Sequence, residues 1–253
     1  MSELSGLYAL WYRELIVFTR ETSRIISSLI QPLMWLIIYG TGLGSVVSAS
    51  AISGTNYQHF IFPGIIAMTA LFSSLFFGLY IILDKRVDFL KEVLVSPLNR
   101  STIFFGKVLG GSTDGLIQVI MLMILGGLFF GIPFTIYSVI MTLLIAILLL
   151  ISITSLGLTI GSLMESPEGF GLISSFVIFP LFFLSGALFP VSGLPSWLRY
   201  IVTINPVTYA VDALRQVMLG IAGFGLLLDF TVMIIFAIAM IAIGTFAFKK
   251  LKI

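Results

Sequence analysis

Side chains that could carry out chemistry are scarce in this chain of 253 residues. It contains one histidine, His59, and no cysteine, so it lacks an H-E-x-x-H zinc pair and every thiolate metal site. A G-x-S-x-G nucleophile motif is also absent. The one Gly-Lys pair, Gly106-Lys107, is followed by Val108, where a phosphate-binding loop needs Ser or Thr. We therefore predict no catalytic residue, no metal site, no bound cofactor and no ATPase activity in this chain, which is not an enzyme by itself.

The composition indicates a membrane protein. The chain is 59% hydrophobic and 9% charged, whereas soluble domains average roughly 25% charged residues. Six apolar windows are each long enough, at roughly 20 residues per crossing, to span a bilayer: 25–47, 60–83, 108–132, 136–161, 170–189 and 230–248. Pairs such as Gly106/Gly110 and Gly157/Gly161 predict close helix contacts. We expect an all-α polytopic protein with six transmembrane helices, forming a single domain over residues 1–253.

The orientation follows from the basic residues beside the spans. Of the 13 Lys and Arg residues, all but Arg199 and Arg215 lie on the side that holds both termini and residues 84–107. Cytoplasmic loops carry such an excess of positive charge. Both termini and residues 84–107 are therefore predicted to be cytoplasmic, in a multi-pass protein of the cell (plasma or inner) membrane.

Residues 84–107 form a charged island between the second and third spans. On a helical projection, five apolar residues from Val87 to Leu94 fall within an arc of about 160°, opposite Asp88, Lys91 and Glu92. The Ser96-Pro97 step should end this helix, and Asn99 or Ser101 can cap the next one. Two interpretations remain open: a helix lying on anionic headgroups, or a docking element for a cytoplasmic partner.

Residues 1–24 contain a second surface segment. Arg13, Arg20 and Arg24 share one helical sector, and another sector is apolar, with Leu7, Trp11, Leu15 and Phe18. We expect a helix lying in the cytoplasmic interface of the membrane. The alternative is that the charged residues of this segment are exposed to water and have no role at the membrane.

Residues 190–228, on the outer side, are too apolar for an ordinary loop and too interrupted for a straight span. Pro195 can open a helix that runs to 204, and Asn205 can cap a second, with Pro206 at its first position and Gly220 after its end. We predict a re-entrant or interfacial helical hairpin. Asp212 and Arg215 are spaced to neutralise one another, and Trp197 suits the headgroup region.

Two stretches give the chain a family resemblance. FLKEVLVSPLNRSTIFFGK follows the second span, and FPLFFLSGALFPVSGLPSWLRYIVTINPVTYAVDALR covers the outer segment. Together they resemble membrane subunits of ABC exporters of the type-2 permease class, in particular the daunorubicin-resistance and nodulation-factor branch.

The resemblance implies a role for each segment. Residues 84–107 would hold a coupling helix that contacts a separate ATPase, through Phe89, Leu90, Lys91, Glu92, Val93, Leu94 and Arg100. Arg13, Arg20 and Arg24 would belong to a connecting helix. The outer hairpin would cap the exit path, with Trp197, Asn205, Pro206, Asp212 and Arg215 as its site residues.

The resemblance also implies partners and a function. Two ATPase subunits, which bind ATP and Mg²⁺, would drive a pair of permease subunits in contact with membrane lipids, and no nucleic acid is involved. The expected function is export of a hydrophobic or amphipathic substrate such as a drug, a lipid or a lipid-linked glycan. A secondary transporter and a membrane scaffold without transport are the alternatives.

Overall fold

The computed structural model describes residues 2–44 and 55–251. Within these ranges every regular element is helical. The α-helices are α1 (Glu3–Arg20), α2 (Thr22–Gly42), α3 (Tyr57–Phe77), α4 (Leu79–Arg86), α5 (Phe89–Val95), α6 (Arg100–Phe130), α7 (Ile136–Leu163), α8 (Pro167–Phe183), α9 (Ser196–Ile204), α10 (Pro206–Leu219) and α11 (Leu226–Lys249). A 3-10 turn, Val191–Gly193, precedes α9.

Five stretches of helix are long and apolar enough to cross a membrane: Ile25–Gly42, Tyr57–Arg86, Arg100–Phe130, Ile136–Leu163 and Leu226–Lys249. They correspond to five of the six predicted spans. The end of the first window, beyond residue 44, lies outside the described residues. The fifth predicted span, 170–189, overlaps α8, an apolar helix of 17 residues, which at 1.5 Å per residue measures about 25 Å. Because this is shorter than a bilayer core of about 30 Å, the sixth crossing stays a prediction.

Helix α3 and its continuation α4 lie at the centre of the bundle. In an apolar 18-residue window of the stretch Tyr57–Arg86 72% of the residues are buried, against 17% in such a window of Leu226–Lys249 in α11. Helix α3 packs against α2, α6, α7 and α10. A helix enclosed on all sides is expected to be apolar around its whole circumference, which explains why α3 has no polar face.

Glycines allow α3, α4 and α7 to approach closely. A Cβ atom on Gly157 of α7 would lie 2.5 Å from the carbonyl oxygen of Leu75, and one on Gly161 would collide with the carbonyl of Gly78. Gly78 lies at the junction of α3 and α4 and meets Gly157 in turn. The close contact predicted for the Gly157/Gly161 pair is therefore present.

The two ends of the chain meet residues 84–107 at one end of the bundle. Arg100 donates hydrogen bonds to the carbonyls of Lys249 and Leu251, at 2.9 and 2.6 Å. The Glu3 carboxylate accepts hydrogen bonds from Asn99, at 2.7 Å, and from Thr102. The segments predicted to be cytoplasmic are thus neighbours in the fold.

The helices of the hairpin have the bounds that the sequence predicts. The Asn205 side chain accepts a hydrogen bond from the backbone N–H of Val207 at 3.0 Å and so caps α10. Gly220 ends α10 with φ of 72°, a left-handed conformation in which glycine carries no steric penalty. The re-entrant position of the hairpin in the membrane stays a prediction.

Candidate functional site

A buried cluster of charged side chains joins α1, α4 and α6. Lys107 of α6 is fully buried, and its Nζ lies 2.6 Å from Asp84 Oδ2 of α4 and 2.8 Å from Glu14 Oε1 of α1. Arg13 bridges the same two carboxylates at 2.7 and 3.0 Å. Two cations thus face two carboxylates, so the cluster is neutral as a whole.

Arg13 also connects this ion cluster to α5. Its guanidinium carbon lies 3.7 Å from the centre of the Phe89 ring, which is the geometry of a cation–π contact. Phe89 is the first residue of α5. One arginine therefore ties the N-terminal helix, the end of the second span and the following short helix together.

The cost of desolvation explains why these charges must be held together. An ion moved out of water loses several kcal/mol of hydration, and only good pairing geometry recovers it. The side chains of Lys107, Glu14 and Asp84 are at most 5% exposed, whereas Arg13 is 33% exposed. The cluster therefore acts as one unit, and losing one member leaves a buried charge unpaired.

Helix α1 packs against α6 across the Gly106/Gly110 pair. A Cβ atom on Gly106 would meet Leu10, and one on Gly110 would meet Glu14, so the small residues make room for α1. The buried face of α1 is Gly6, Leu10, Glu14 and Phe18. This corrects the predicted apolar face, because only Phe18 belongs to both sets.

Arg13 and Arg20 of the predicted connecting helix lie in different surroundings. Arg13 joins the buried cluster, whereas Arg20 is exposed at the end of α1. Of Arg24 the structure gives the backbone, in the first turn of α2. The surroundings of Arg13 and Arg20 could not be predicted from their position on one helical sector.

Helix α5 lies against the bundle through its apolar side. Leu90 is 1% exposed and belongs to a hydrophobic cluster with Leu10, Ile103 and Phe104. Val93 and Leu94 are half-buried and pack against the same cluster. A side chain as buried as Leu90 cannot reach a partner protein in this conformation, which corrects the expectation that it makes such a contact.

The exposed side of α5 carries charged residues, unlike the apolar side that packs against the bundle. Val95, the last residue of α5, is 81% exposed. Val87 is 72% exposed and precedes α5, from which the left-handed Asp88 separates it. The Lys91 ammonium pairs with Asp88 at 2.7 Å, and Glu92 is exposed as well. These exposed residues on α5 and directly before it are hereafter the α5 face.

Arg100 is not part of α5 but is the first residue of α6. Its hydrogen bonds to the carbonyls of Lys249 and Leu251 satisfy acceptors at the end of α11. In the structure Arg100 holds the end of α11 beside the start of α6, and its contact with an ATPase stays a prediction.

In the outer hairpin, Asp212 and Arg215 each have partners other than one another. The Asp212 carboxylate accepts hydrogen bonds from the backbone N–H groups of Gly223 and Phe224, both at 2.8 Å. Arg215 donates to the carbonyl of Gly186 at 2.9 Å, and its guanidinium carbon lies 4.1 Å from the centre of the Phe60 ring. The predicted mutual ion pair is thus replaced by two separate sets of contacts.

Asn205 fastens the hairpin to α8. Besides capping α10, its amide nitrogen donates to the carbonyls of Leu181 and Leu184 at 2.8 and 2.9 Å. Pro206 occupies the first position of α10, as predicted. Trp197 of α9 is 64% exposed, a position compatible with the predicted headgroup contact.

A family model described as ABC-2 type transporter matches residues 5–219. This range runs from α1 to α10 and includes the ion cluster, the α5 face and the hairpin. The chain belongs to the ABC-2 type transporter family. The resemblance to the type-2 permease class that the sequence motifs carry is thereby confirmed.

Two relatives of this ABC-2 chain are named transport permeases, and a third is named for nodulation. It is 35% identical over 218 residues to a protein of Cyanophora paradoxa named putative transport permease ycf38, covering 84% of this chain and 73% of that protein. It is 28% identical over 241 residues to the inner membrane transport permease YadH of Escherichia coli strain K12, covering 92% and 91%. Nodulation protein J of Rhizobium meliloti strain 1021 is 28% identical over 221 residues, covering 84% and 80%.

The buried charges of this ABC-2 chain were missed by sequence reasoning. Lys107 was counted among the basic residues of the predicted cytoplasmic side, and Glu14 was assigned no role. A signal was present: Glu14 lies four residues after Leu10 and four before Phe18, so a helix places it on the same face as both. An acid on an apolar face requires a buried cation, and Lys107 supplies it.

Proposed function

We propose that this ABC-2 permease exports a hydrophobic or amphipathic substrate and is driven by a separate ATPase that docks on the α5 face. The observation that carries the proposal is the combination of an exposed surface on α5 with a buried connection beneath it. Val87 and Val95 provide apolar contact area, and Lys91 and Glu92 provide a charged rim. Interfaces commonly combine a small apolar centre with such a polar edge.

The connection beneath α5 would transmit force into the membrane helices. Leu90 anchors α5 in the core next to Ile103 and Phe104 of α6. Phe89 contacts Arg13, which is paired with Asp84 of α4. A push on α5 would therefore move the ends of two long helices together instead of bending a loop.

The ATPase would supply the energy, because ATP and Mg²⁺ would be bound by that partner. We propose two ATPase copies and a second permease copy, identical or related, with both termini of each permease in the cytoplasm. The position of α5, α1 and the end of α11 at one end of the bundle supports a shared cytoplasmic surface.

The apolar surface between α3 and α8 supports a hydrophobic or amphipathic substrate. The Phe72 and Phe179 rings lie 6.3 Å apart, the Phe76 and Phe170 rings lie 6.4 Å apart, and Phe176 is 81% exposed. Of these rings Phe176, Phe179 and Phe76 are exposed and offer contact area to an apolar molecule, whereas Phe170 is buried beneath them.

The experiment measures capture, on permease in nanodiscs, of purified ABC ATPases from the same genome, which are recognised by the G-x-x-x-x-G-K-S/T phosphate-binding motif. Val95→Glu and Lys91→Glu are expected to weaken capture at least tenfold, because one places a charge in the apolar centre and the other reverses a rim charge. Val95→Leu and Lys91→Arg are the matched controls and should retain capture. Each variant is also checked by thermal unfolding, since both positions are exposed and should not affect the fold.

Two outcomes would contradict the proposal. If both charge-changing variants bind the ATPase as the unaltered protein does, the α5 face is not the docking surface. If the complex forms but ATP does not drive substrate into inverted vesicles, export is the wrong direction or function.

A further inference from the structure

We propose that a cavity between α2, α3 and α6 binds the polar end of an uncharged amphiphile, with Gln118 as its central hydrogen-bonding group. The cavity has a volume of about 340 Å³, within the range of roughly 300–1,000 Å³ that is usual for small-molecule sites. Ser28 and Gln31 contribute from α2, Thr69 and Ser73 from α3, and Gln118 from α6.

Gln118 requires a partner that the protein does not supply. It is 1% exposed, and in the part of the chain that the structure describes its Oε1 accepts no hydrogen bond. Ser73 Oγ, on the same cavity wall, is also buried and without a hydrogen-bond partner there. Burying a polar group without a hydrogen bond is costly, so these two groups favour an occupant that can bond to them.

The depth of the cavity in the bundle makes this requirement stronger. Gln118 follows Lys107 by 11 residues in α6, which corresponds to about 16 Å along the helix axis. Bulk water does not reach the interior of the bilayer. An amide placed there is therefore expected to bond to a ligand or to water that is held inside the cavity.

The lining indicates a ligand with two chemically different parts. The polar wall carries hydroxyl and amide groups, whereas Met68, Phe72 and Phe76 form an apolar wall. None of the side chains that line the cavity carries a formal charge. A charged head group would be buried without a counter-ion, which is strongly unfavourable, and a head group with hydroxyl or amide functions would be satisfied.

The ligand would enter from the side of α2. Gln31 and Ser27 lie on the cavity wall and are exposed, whereas Thr69 and Gln118 are buried at its inner end. The polar end of the amphiphile would therefore bond to Gln118 and Ser73, with its apolar part against Phe72 and Phe76. This inference rests on the proposed function in one respect: the bound amphiphile would be the transported substrate.

The test measures binding to the full chain in nanodiscs, without ATPase. The probes are three dodecyl amphiphiles with the same photoreactive diazirine in the alkyl chain and a glucoside, a sulfate or a trimethylammonium head group. Labelled peptides are identified by mass spectrometry. The glucoside is expected to label α2, α3 or α6 around the cavity saturably, at concentrations at least tenfold lower than the two charged probes need.

Variants connect the labelling to the cavity. Gln118→Leu should weaken labelling by the glucoside about three- to tenfold, the change expected from one lost hydrogen bond. Gln216→Leu makes the same replacement in α10, outside the cavity lining, and should leave labelling unchanged. Ser28→Trp fills the cavity from the peripheral helix α2, where folding is least at risk, and should abolish saturable labelling.

The outcomes separate this site from the proposed function. Equal labelling by all three probes would overturn the site, and so would full labelling of the Ser28→Trp variant. Labelling that does not saturate would also overturn it, because such labelling indicates contact with bulk lipid. If the glucoside binds as expected but the ATPase is not captured on the α5 face, the site stands and the ATPase-driven function fails.

Discussion

Lys107 and Asp84 form an ion pair of 2.6 Å inside the protein, where the end of the second predicted span meets the start of the third. Glu14 reaches the same lysine from the N-terminal helix. The pair therefore fixes the geometry on both sides of α5, the segment proposed to receive the ATPase.

Replacing Lys107 by Met tests whether this cation holds the three helices together. The variant leaves Glu14 and Asp84 buried with only the partly exposed Arg13 as a counter-ion, and removing one partner of a buried ion pair costs about 3–5 kcal/mol. We expect a loss of that size in the free energy of unfolding, measured by denaturant titration in micelles.

Two further variants complete this experiment. Lys107→Met combined with Glu14→Gln should recover part of the loss, because fewer unpaired charges remain. Lys91→Met is the control: Lys91 is a 56% exposed lysine whose surface ion pair contributes at most about 1 kcal/mol. If Lys107→Met and Lys91→Met unfold alike, the buried cluster does not stabilise the fold.

A methyl group on Gly157 should separate α7 from α3. The Cβ atom would lie 2.5 Å from the carbonyl oxygen of Leu75, and backbone atoms cannot move aside as a flexible side chain can. Gly157→Ala is expected to destabilise the protein by about 1–3 kcal/mol, the usual cost of overpacking. Thermal unfolding measures this effect.

Gly171→Ala is the matched control for this helix contact. A Cβ atom there would have no other atom within 4 Å, and alanine favours helix over glycine by about 1 kcal/mol. The control should therefore unfold at the same temperature or higher. A lower unfolding temperature for Gly171→Ala than for Gly157→Ala would contradict the contact between α3 and α7.

Local rules predicted the helices of the outer hairpin well, because the signals that end and begin them are carried by single residues. Pro206 and Gly220 have strong backbone preferences that do not depend on distant contacts. Of the six apolar spans that the sequence predicted, five are helices of spanning length in the described residues, since the length of an apolar run can be read from the sequence alone.

Side-chain partners were predicted less well, because they depend on contacts that are distant in sequence. Arg215 and Asp212 are close along α10, yet each bonds to backbone groups of other segments. Arg100 reaches residue 249 for the same reason. Helical spacing gives the neighbours on one helix, whereas the packing of the bundle decides which of them become partners.

Arg215→Lys tests whether the planar shape of the arginine is needed. Lysine keeps the positive charge but loses the fork that donates to the Gly186 carbonyl and the flat face over the Phe60 ring. We expect a loss of about 1–3 kcal/mol in stability, the cost of leaving a buried acceptor unsatisfied.

The control for Arg215→Lys is Arg199→Lys in α9, because the guanidinium of Arg199 is exposed. A replacement at the surface changes the free energy of unfolding by about 0.5 kcal/mol or less. Unfolding is followed by tryptophan fluorescence in micelles. Equal stability of Arg215→Lys and Arg199→Lys would show that charge alone is required at residue 215.

Asn205 has two separable roles, and two substitutions distinguish them. Its oxygen caps α10 at Val207, and its nitrogen donates to the carbonyls of Leu181 and Leu184. Ser can still cap the helix but cannot reach these carbonyls, whereas Ala can do neither. We therefore expect both variants to be less stable than the unaltered protein, and Ala to be less stable than Ser by about 1 kcal/mol, the typical contribution of an N-cap. If the Ser variant is as stable as the unaltered protein, the hydrogen bonds from Asn205 to the carbonyls of Leu181 and Leu184 contribute nothing to stability.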